Sequence, residues 1–371
     1  KSGGKDRSMN TSEQELFWCL CRFLDPDRER IAALLQAGAG TPAVLGQLLY
    51  NRMAGVAYHV LTKTVTQDLT SREFRNILRD DRFLSIEKNQ SFVQCRNLVT
   101  DILEKSDAEY ALLKGAYLCE LYPPGCRTAN DVDVLTEGKW ITAIGNALQE
   151  AGFRQGYLKG GMFVPASRKE IIHRKITRGE TVPYFLEVGL PYMPYLEVDI
   201  NFSLDYKNTI DTALPAFVSE AALRGIGANQ CRTLSDPHFL LHLCMHLYKE
   251  ATTYPWVQMG RDMNLYKFCD LYVILMQYTL QDYKTLAAEA EKHGLLAPCC
   301  WVLSAMQELF GTEDPMLLGF LARYAPGDLQ KLDRVVDPAG KREFVYENMD
   351  LRQRFFAGNR VSLLREVQGD A

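Results

Sequence analysis

The sequence predicts an α+β fold, in which a mixed α/β core stands between an N-terminal and a C-terminal helical region. Before residue 106, apolar residues recur at helical spacing, and the stretch 71–105 contains neither glycine nor proline. Short apolar runs separated by turns follow, and helical spacing then returns. At about 150 residues per domain, a chain of 371 residues holds two or three domains. We therefore expect a helical region at 9–106, a core at 107–205 and a helical domain at 206–371.

The composition excludes the extreme classes of protein. Charged residues make up 24% of the chain and hydrophobic residues 47%, which excludes extended disorder, collagen and a continuous coiled coil. The net charge of −4 gives no overall signature of nucleic-acid binding, although it is compatible with a local basic groove. No run approaches the roughly 20 apolar residues of a membrane span, so we expect no membrane partner.

The first eight residues and the cysteines bear on the compartment. KSGGKDRS lacks the apolar segment of a signal peptide and looks like the remnant of an expression tag, so we expect the native sequence to begin at Met9. The chain has ten cysteines, several of them in apolar runs such as LFWCLCRF. Without an export signal, such cysteines predict buried, reduced thiols and a cytoplasmic protein. No C-x-x-C pair occurs, which disfavours a zinc site.

The elements of each region follow from local patterns. In the first region, helices are expected from residue 11, at 28–36 and over the long stretch 71–105. In the core, 131–135 alternates acidic with apolar residues as a strand does, and Gly152 is placed as the C-cap of a helix at 139–151. The other predicted elements are a short helix at 116–121, strands at 110–113, 153–157, 171–177, 185–188 and 196–202, and helices at 236–249, 263–278, 283–293 and 296–310.

Three acidic residues carry the strongest chemical signal. Asp131 and Asp133 alternate with valine, so a strand places both carboxylates on one face. Two buried like charges are costly unless a cation neutralises them, and such a pair suits Mg²⁺ or Mn²⁺. Asp199, in the second acid-bearing strand, completes a possible metal site for in-line displacement. Each acid taken alone also fits a solvated strand face, which is the simpler interpretation.

Lys114, Gly115 and Arg127 are the candidates for binding phosphate. Lys114 and Gly115 stand at a predicted strand-to-helix turn, where glycine permits close backbone approach and the helix start favours an anion. Lysine adds a point charge for phosphate, and Arg127 precedes the acid strand by four residues. A surface lysine–glycine turn and a surface arginine explain the same residues without a ligand.

The order of these residues resembles a known signature. LLKGAYLCELYPPGCRTANDVDVL and LEVDINF resemble the bacterial uncharacterised nucleotidyltransferase family, within the nucleotidyltransferase superfamily of DNA polymerase β-like fold. The resemblance extends over about residues 85–280, and Lys-Gly stands where the wider superfamily has Gly-Ser. It implies a nucleotidyltransferase-like catalytic core with Asp131, Asp133 and Asp199 as catalytic metal ligands. It also implies an NTP substrate and an acceptor.

Three histidines are spaced four residues apart, at positions 238, 242 and 246, which predicts that they lie on one face of a helix. No glutamate completes an H-E-x-x-H zinc motif, and buried structural histidines are the simplest interpretation. The family resemblance implies a nucleotide-binding role for His242 and His246, followed by Asp270 on the next helix. Arg261 and Lys267 near that helix could bind the triphosphate or an acceptor, or simply face solvent.

The sequence analysis leads to one preferred function and leaves alternatives open. The preferred function is transfer of NMP from an NTP, ATP among the candidates, to an acceptor with release of pyrophosphate. The acceptor could be a small molecule, a protein or an RNA, and the basic segment 168–178 could line an RNA groove or be a charged strand edge. The alternative class is an inactive nucleotide-binding or partner protein that retains the fold.

Overall fold

The computed structural model describes residues 9–204, 211–226, 229–339, 341–347 and 350–367. The chain folds as two compact units. The first contains residues 1–90 and 121–128, and the second contains residues 91–120 and 129–371. The chain therefore passes between the units three times, and the long helix that starts in the first unit ends in the second.

The first unit is helical, as the sequence predicts. Its helices are α1 (Thr11–Cys21), α2 (Arg28–Gln36), α3 (Pro42–Tyr50), α4 (Ala54–Lys63) and the first part of α5 (Arg72–Leu103). Asn10 caps α1 through a capping box with Glu13, which satisfies two backbone N–H groups at the helix start. Gly55 lies so close to the backbone of the returning segment 121–128 that a Cβ on it would stand 2.0 Å from the carbonyl oxygen of Gly125.

The second unit is built on a six-stranded mixed sheet. The strands are β1 (Tyr110–Leu112), β2 (Asp131–Thr136), β3 (Arg154–Lys159), β4 (Met162–Pro165), β5 (Tyr184–Leu190) and β6 (Met193–Asn201). Their order is β1-β2-β6-β5-β3-β4, with β2 and β6 parallel and the other pairs antiparallel. Apolar residues of the second half of α5 pack on this sheet, among them Phe92, Val99 and Leu103.

Three helices accompany the sheet strands: α6 (Gly115–Leu118), α7 (Ile141–Glu150) and α8 (Arg168–Arg178). The prediction of a strand at 171–177 is wrong, since these residues form α8. Ser167 and Glu170 make a capping box at its start, and that local pairing favours a helix over the strand that Ile171 and Ile172 suggested. The basic residues of this segment therefore lie on a helix and not on a strand edge.

Helices dominate the rest of the second unit, with two small sheets among them. The helices are α9 (Leu214–Ser219), α10 (Asp236–Ala251), α11 (Tyr254–Gln258), α12 (Leu265–Leu275), α13 (Leu280–Lys292), α14 (Leu296–Phe310), α15 (Pro315–Tyr324) and α16 (Leu351–Phe356). A hairpin is formed by β7 (Ala222–Ile226) and β8 (Asn229–Thr233). A three-stranded sheet is formed by β9 (Val335–Asp337), β10 (Arg342–Tyr346) and β11 (Leu364–Glu366). These strands were not predicted.

The mixed α/β architecture with helices before and after it in the chain is confirmed. Among the described residues, no helix combines the length and the apolar character needed to cross a membrane.

Candidate active site

The two acid-bearing strands lie side by side in register. In the parallel pair of β2 and β6, Asp131 is opposite Glu197 and Asp133 is opposite Asp199. Side chains alternate along a strand, so all four carboxylates project from the same face of the sheet. The strands come from distant parts of the sequence, and their register alone brings the acids together.

Asp131, Asp133 and Asp199, called the acid triad below, form a compact group. One carboxylate oxygen from each lies within 4.8 Å of the others. Asp133 is buried, whereas Asp131 and Asp199 are partly exposed. Burial raises the pKa of Asp199 well above its usual value, and the charges of Asp133, Glu197 and Asp131 raise it further. Three carboxylates this close together repel one another when all are ionised, and burial adds to the cost of their charges.

Glu197 is a fourth acid beside the acid triad. Burial raises the pKa of its carboxyl group to about 7, and the charges of Asp131 and Asp133 add to the effect. A carboxyl group with such a pKa can accept or release a proton near neutral pH. Glu197 stands two residues before Asp199, so the alternation of side chains along the strand was sufficient to place it on the same face from the sequence.

Lys114 provides a positive charge beside the acid triad. Its Nζ donates to Oδ1 of Asp133 at 2.8 Å. Burial opposes the charged ammonium, but the neighbouring charges of Asp133 and Asp131 dominate and raise the pKa of Lys114. Asn201 also faces the same oxygen, with Nδ2 at 3.5 Å from Oδ1 of Asp133.

The backbone of Lys114 is strained. Its φ is 45° and its ψ is −117°, a conformation that side-chain-bearing residues rarely adopt. Such a conformation costs of the order of 1–3 kcal/mol and persists only where surrounding structure holds it. The ion pair with Asp133 is one such restraint, and it aims the ammonium at the acid triad.

Gly115 follows Lys114 and starts α6. A Cβ at this position would stand 2.3 Å from Cβ of Ala129, so only glycine fits between α6 and the residues preceding β2. Because α6 spans only four residues, the anion-attracting helix start expected from the sequence is reduced to a single turn. Close packing is therefore the reason for glycine that the structure shows.

Arg127 belongs to the first unit, whereas the acid triad, Lys114 and Gly115 belong to the second. Its guanidinium donates to the carbonyl oxygen of Thr128, and its own carbonyl oxygen accepts from Asn89 at 2.6 Å. Its proposed contact with phosphate stays a prediction.

The charges of Asp133 and Lys114 act on His242. Neither ring nitrogen of this buried residue has a hydrogen-bond partner among the described residues. Burial lowers its pKa to about 3, and the charge of Lys114 lowers it further, against the smaller effect of Asp133. His242 is therefore neutral at physiological pH, with one nitrogen able to donate and the other able to accept.

His246 and Glu250 lie on the following turns of α10 and contact Lys267 of α12. His246 Nε2 is 3.2 Å from Oε1 of Glu250 and 3.1 Å from Nζ of Lys267, and Lys267 also pairs with Glu250. Burial and the charge of Lys267 hold the pKa of His246 well below its usual value. The sequence pattern did not single out Glu250, although it stands four residues after His246 and can face it on a helix.

His238 has different surroundings from His242 and His246, although all three are on α10. Its Nε2 is 3.0 Å from Oε2 of Glu289 on α13. His242 and His246 do share a face, since their rings are nearly parallel with centroids 6.3 Å apart. The expectation of one face shared by all three is therefore wrong for His238. A spacing of eight residues turns a helix by about 80° beyond two full turns, which accounts for the divergence.

The acid triad fits a divalent cation. Its ligand atoms are all carboxylate oxygens, which Mg²⁺ and Mn²⁺ prefer, and their mutual repulsion favours a bound positive charge. Burial, and after it the same repulsion, raises the pKa of Asp199.

Comparison with known proteins gives one family. The sequence profile of a family described as "Uncharacterised nucleotidyltransferase" matches residues 40–311. No curated protein matches the chain. Among solved structures, an antigenic nucleotidyltransferase-like protein from Paracoccidioides brasiliensis is similar to it, with 14% identity and a TM-score of 0.37 over 63% of this chain and 94% of that chain.

Proposed function

This chain belongs to the uncharacterised nucleotidyltransferase family, and we propose that it transfers an NMP from an NTP to an acceptor with release of pyrophosphate. The observation that carries the proposal is the convergence of Asp131, Asp133 and Asp199 on parallel, in-register strands. Family membership supports the general reaction. The nucleotide, the metal ion and the roles of individual residues are the parts that we add.

In this proposal the acid triad holds the catalytic Mg²⁺ or Mn²⁺. A bound cation there supplies charge neutralisation and stabilisation of the leaving pyrophosphate. The chain's own contribution is to fix three carboxylates on a rigid sheet, so that they do not have to be ordered when the substrate binds.

Lys114 and the histidines form the nucleotide-binding side of the proposal. Lys114 neutralises Asp133, and its ammonium becomes available for a phosphate oxygen once another cation takes over that task. Neutral His242 offers a donor and an acceptor near the acid triad, and His246 is held in place by Glu250 and Lys267. Gly115 keeps this turn close to β2, and we retain Arg127 as a further phosphate ligand.

The acceptor's proton would pass to an acid on β6. Asp199 completes the acid triad and helps to deprotonate the acceptor, and Glu197, whose pKa burial raises to about 7, can take up a proton near neutral pH. We place the reaction in the cytosol, where the buried thiols of Cys21, Cys95 and Cys244 stay reduced. The acceptor is a small molecule, a protein or an RNA.

The decisive experiment labels the acceptor. The purified chain is incubated with Mg²⁺, a cell extract and each α-³²P-labelled NTP in turn, and pyrophosphate release and labelled species are both measured. One NTP is expected to label one class of acceptor with stoichiometric pyrophosphate release. If no NTP gives release or label under any condition, the proposal is wrong.

Two variants connect the activity to the acid triad. Asp131→Asn with Asp133→Asn is expected to abolish label transfer, because Asp199 is then the one carboxylate left in the acid triad and cannot hold the cation in place. Glu187→Gln is the matched control, since Glu187 is an exposed acid on neighbouring β5. Transfer that survives the double substitution would show that these acids are not catalytic.

A second candidate function is nucleotide binding without catalysis. The observation that favours it is the Lys114–Asp133 ion pair, in which a lysine neutralises a proposed metal ligand. Calorimetric titration with Mg·NTP distinguishes the two candidates: binding without pyrophosphate release supports this one.

A further inference from the structure

A second group of potential metal ligands lies between the first turn of α10 and the end of α13. It consists of His238, Glu289 and His293, each of which offers one ligand atom within 4.8 Å of the other two. Nε2 of His238 is 3.0 Å from Oε2 of Glu289, and Nε2 of His293 is 3.4 Å from the same oxygen. None of these residues belongs to the acid triad or to the proposed nucleotide contacts.

The spacing of these atoms suits a tetrahedral ion. Zinc bonds of about 2.0–2.1 Å to nitrogen and oxygen place neighbouring ligand atoms about 3.3 Å apart. The observed separations of 3.0 and 3.4 Å lie on either side of that value. An ion could therefore enter with small side-chain movements.

The hydrogen bonding of the two histidines is incomplete. Their side chains are 0% exposed for His238 and 9% exposed for His293. Nδ1 of His238 and Nε2 of His293 have no hydrogen-bond partner among the described residues, and a buried polar atom without a partner is costly. An ion bound to Nε2 of His293 would satisfy the second of these atoms.

The other nitrogen of His238 faces an acid. Oε2 of Glu220 is 3.4 Å from Nδ1 of His238. A histidine that binds a metal through one nitrogen characteristically directs its other N–H at a carboxylate, which fixes the ring and makes the ligand nitrogen more basic. Phe217 also restrains this ring, since the two rings stack at 4.1 Å with 13° between their planes.

The ammonium group of Lys292 would repel a cation bound to His238, Glu289 and His293. Its Nζ is 3.0 Å from Oε2 of Glu289, but its side chain is 52% exposed. A lysine this exposed can turn into solvent at little cost, because surface ion pairs contribute at most about 1 kcal/mol.

We propose that His238, Glu289 and His293 bind a divalent transition-metal ion, Zn²⁺ fitting best, with water as the fourth ligand. Two imidazole nitrogens select zinc over Mg²⁺, whereas the all-oxygen acid triad selects the opposite. The ion ties α10 to α13 and so stabilises the helix on which His242 and His246 are mounted.

The test removes the competing site first. Full-length chain with Asp131→Asn and Asp133→Asn is stripped of metal and titrated with Zn²⁺ by calorimetry, and with Co²⁺ by visible absorption. We expect one equivalent of Zn²⁺, retained in excess Mg²⁺, a four-coordinate Co²⁺ spectrum, and a higher melting temperature because the ion binds only the folded chain. If no saturable binding occurs, the proposal is overturned.

Further substitutions in that background locate the ion. His293→Gln should abolish Zn²⁺ binding. Glu220→Gln should weaken the affinity for Zn²⁺ by about 10–100-fold, as is typical when the carboxylate that orients a metal-binding histidine is lost. His59→Gln, in the first unit, is the control and should bind normally. Circular dichroism of the metal-free variants separates lost binding from lost folding, and Glu289→Gln replaces His293→Gln if the latter fails to fold. Zinc binding that survives His293→Gln and disappears on thiol alkylation would assign the ion to cysteines and refute the site.

Discussion

At the scale of single residues, the fold holds two polar side chains of the candidate site in energetically unfavourable states. Lys114 combines a positive φ with an ion pair to Asp133, and His242 is buried without hydrogen-bond partners among the described residues. Each of these states costs free energy, and each is measurable by substitution.

The strain at Lys114 can be separated from its ion pair. Lys114→Gly and Lys114→Ala both remove the contact with Asp133, but only alanine keeps the unfavourable φ of 45°. Allowing for the greater flexibility of glycine in the unfolded chain, Lys114→Gly should be more stable than Lys114→Ala by about 1 kcal/mol. Urea denaturation of the two variants measures this, and equal stabilities would show that the backbone is not strained.

The burial of His242 should appear as pH dependence of stability. Its pKa is about 3 in the folded chain and about 6.5 unfolded, so the unfolded chain binds the extra proton between these values. The contribution of neutral His242 to the free energy of unfolding is complete above pH 6.5 and is lost as the pH falls. The free energy of unfolding should decrease by about 2 kcal/mol between pH 7 and pH 5 for this reason.

His242→Gln should remove that part of the pH dependence. The charged groups that act on His242 are Lys114, Lys249 and Asp133, and all of them remain in the variant. The difference between the wild-type and variant unfolding free energies, measured by urea denaturation from pH 7 to pH 5, isolates the histidine. A constant difference over this range would contradict the assignment.

At the scale of elements, alternation and helix punctuation were sufficient to predict most of the core. Asp131 and Asp133 could be placed on one face of a strand from sequence because a strand has a period of two. The register of β2 against β6 could not be predicted from the sequence, because it depends on packing between segments that are far apart in the chain. The same limit applies to Glu289 and His293 beside His238.

Helix α8 shows how a local signal was misread. The sequence analysis predicts a strand at 171–177, whereas the Ser167–Glu170 capping box, also readable in the sequence, favours a helix. Charged residues on a helix reach solvent as readily as those on a strand edge, so composition could not decide between the two.

The capping box of α8 gives a prediction at this scale. Ser167→Ala should destabilise α8 by about 1 kcal/mol, because the N–H of Glu170 loses its acceptor. Hydrogen exchange of residues in α8 should accelerate about fivefold to tenfold, since 1.4 kcal/mol corresponds to a factor of ten in the opening equilibrium. Ser167→Asp keeps an acceptor and is the control. Unchanged exchange in Ser167→Ala would mean that packing alone holds α8.

At the scale of the whole molecule, the first unit is not contiguous in sequence. Segment 121–128 returns to it from the second unit, and there Tyr122 stacks on Phe23 with ring centroids 5.2 Å apart. Cys126 is 3% exposed, and its Sγ donates to the carbonyl oxygen of Gly55 at 3.6 Å. Cutting the chain after residue 90 would therefore deprive this segment of its packing partners.

A fragment of residues 91–371 tests this arrangement. Cys126 should be alkylated rapidly in the fragment and slowly in the full chain, because its burial depends on residues before 90. Mass spectrometry of iodoacetamide-treated protein measures the difference, with Cys299, buried within the second unit, as the internal control. Equal protection of Cys126 in both proteins would show that the segment does not need the first unit.

The parallel pairing of β2 with β6 also has a consequence for how the protein is made. On the ribosome, Asp131 and Asp133 emerge long before Asp199, so the acid triad is incomplete in the early nascent chain. Lys114, already synthesised, is the neighbouring cation that can neutralise Asp133 during that interval. Because pairing of distant strands is slow, formation of the site should coincide with a late step of folding. If the acid triad holds a metal ion as proposed above, addition of Mg²⁺ should leave the rate of the earlier helical steps unchanged.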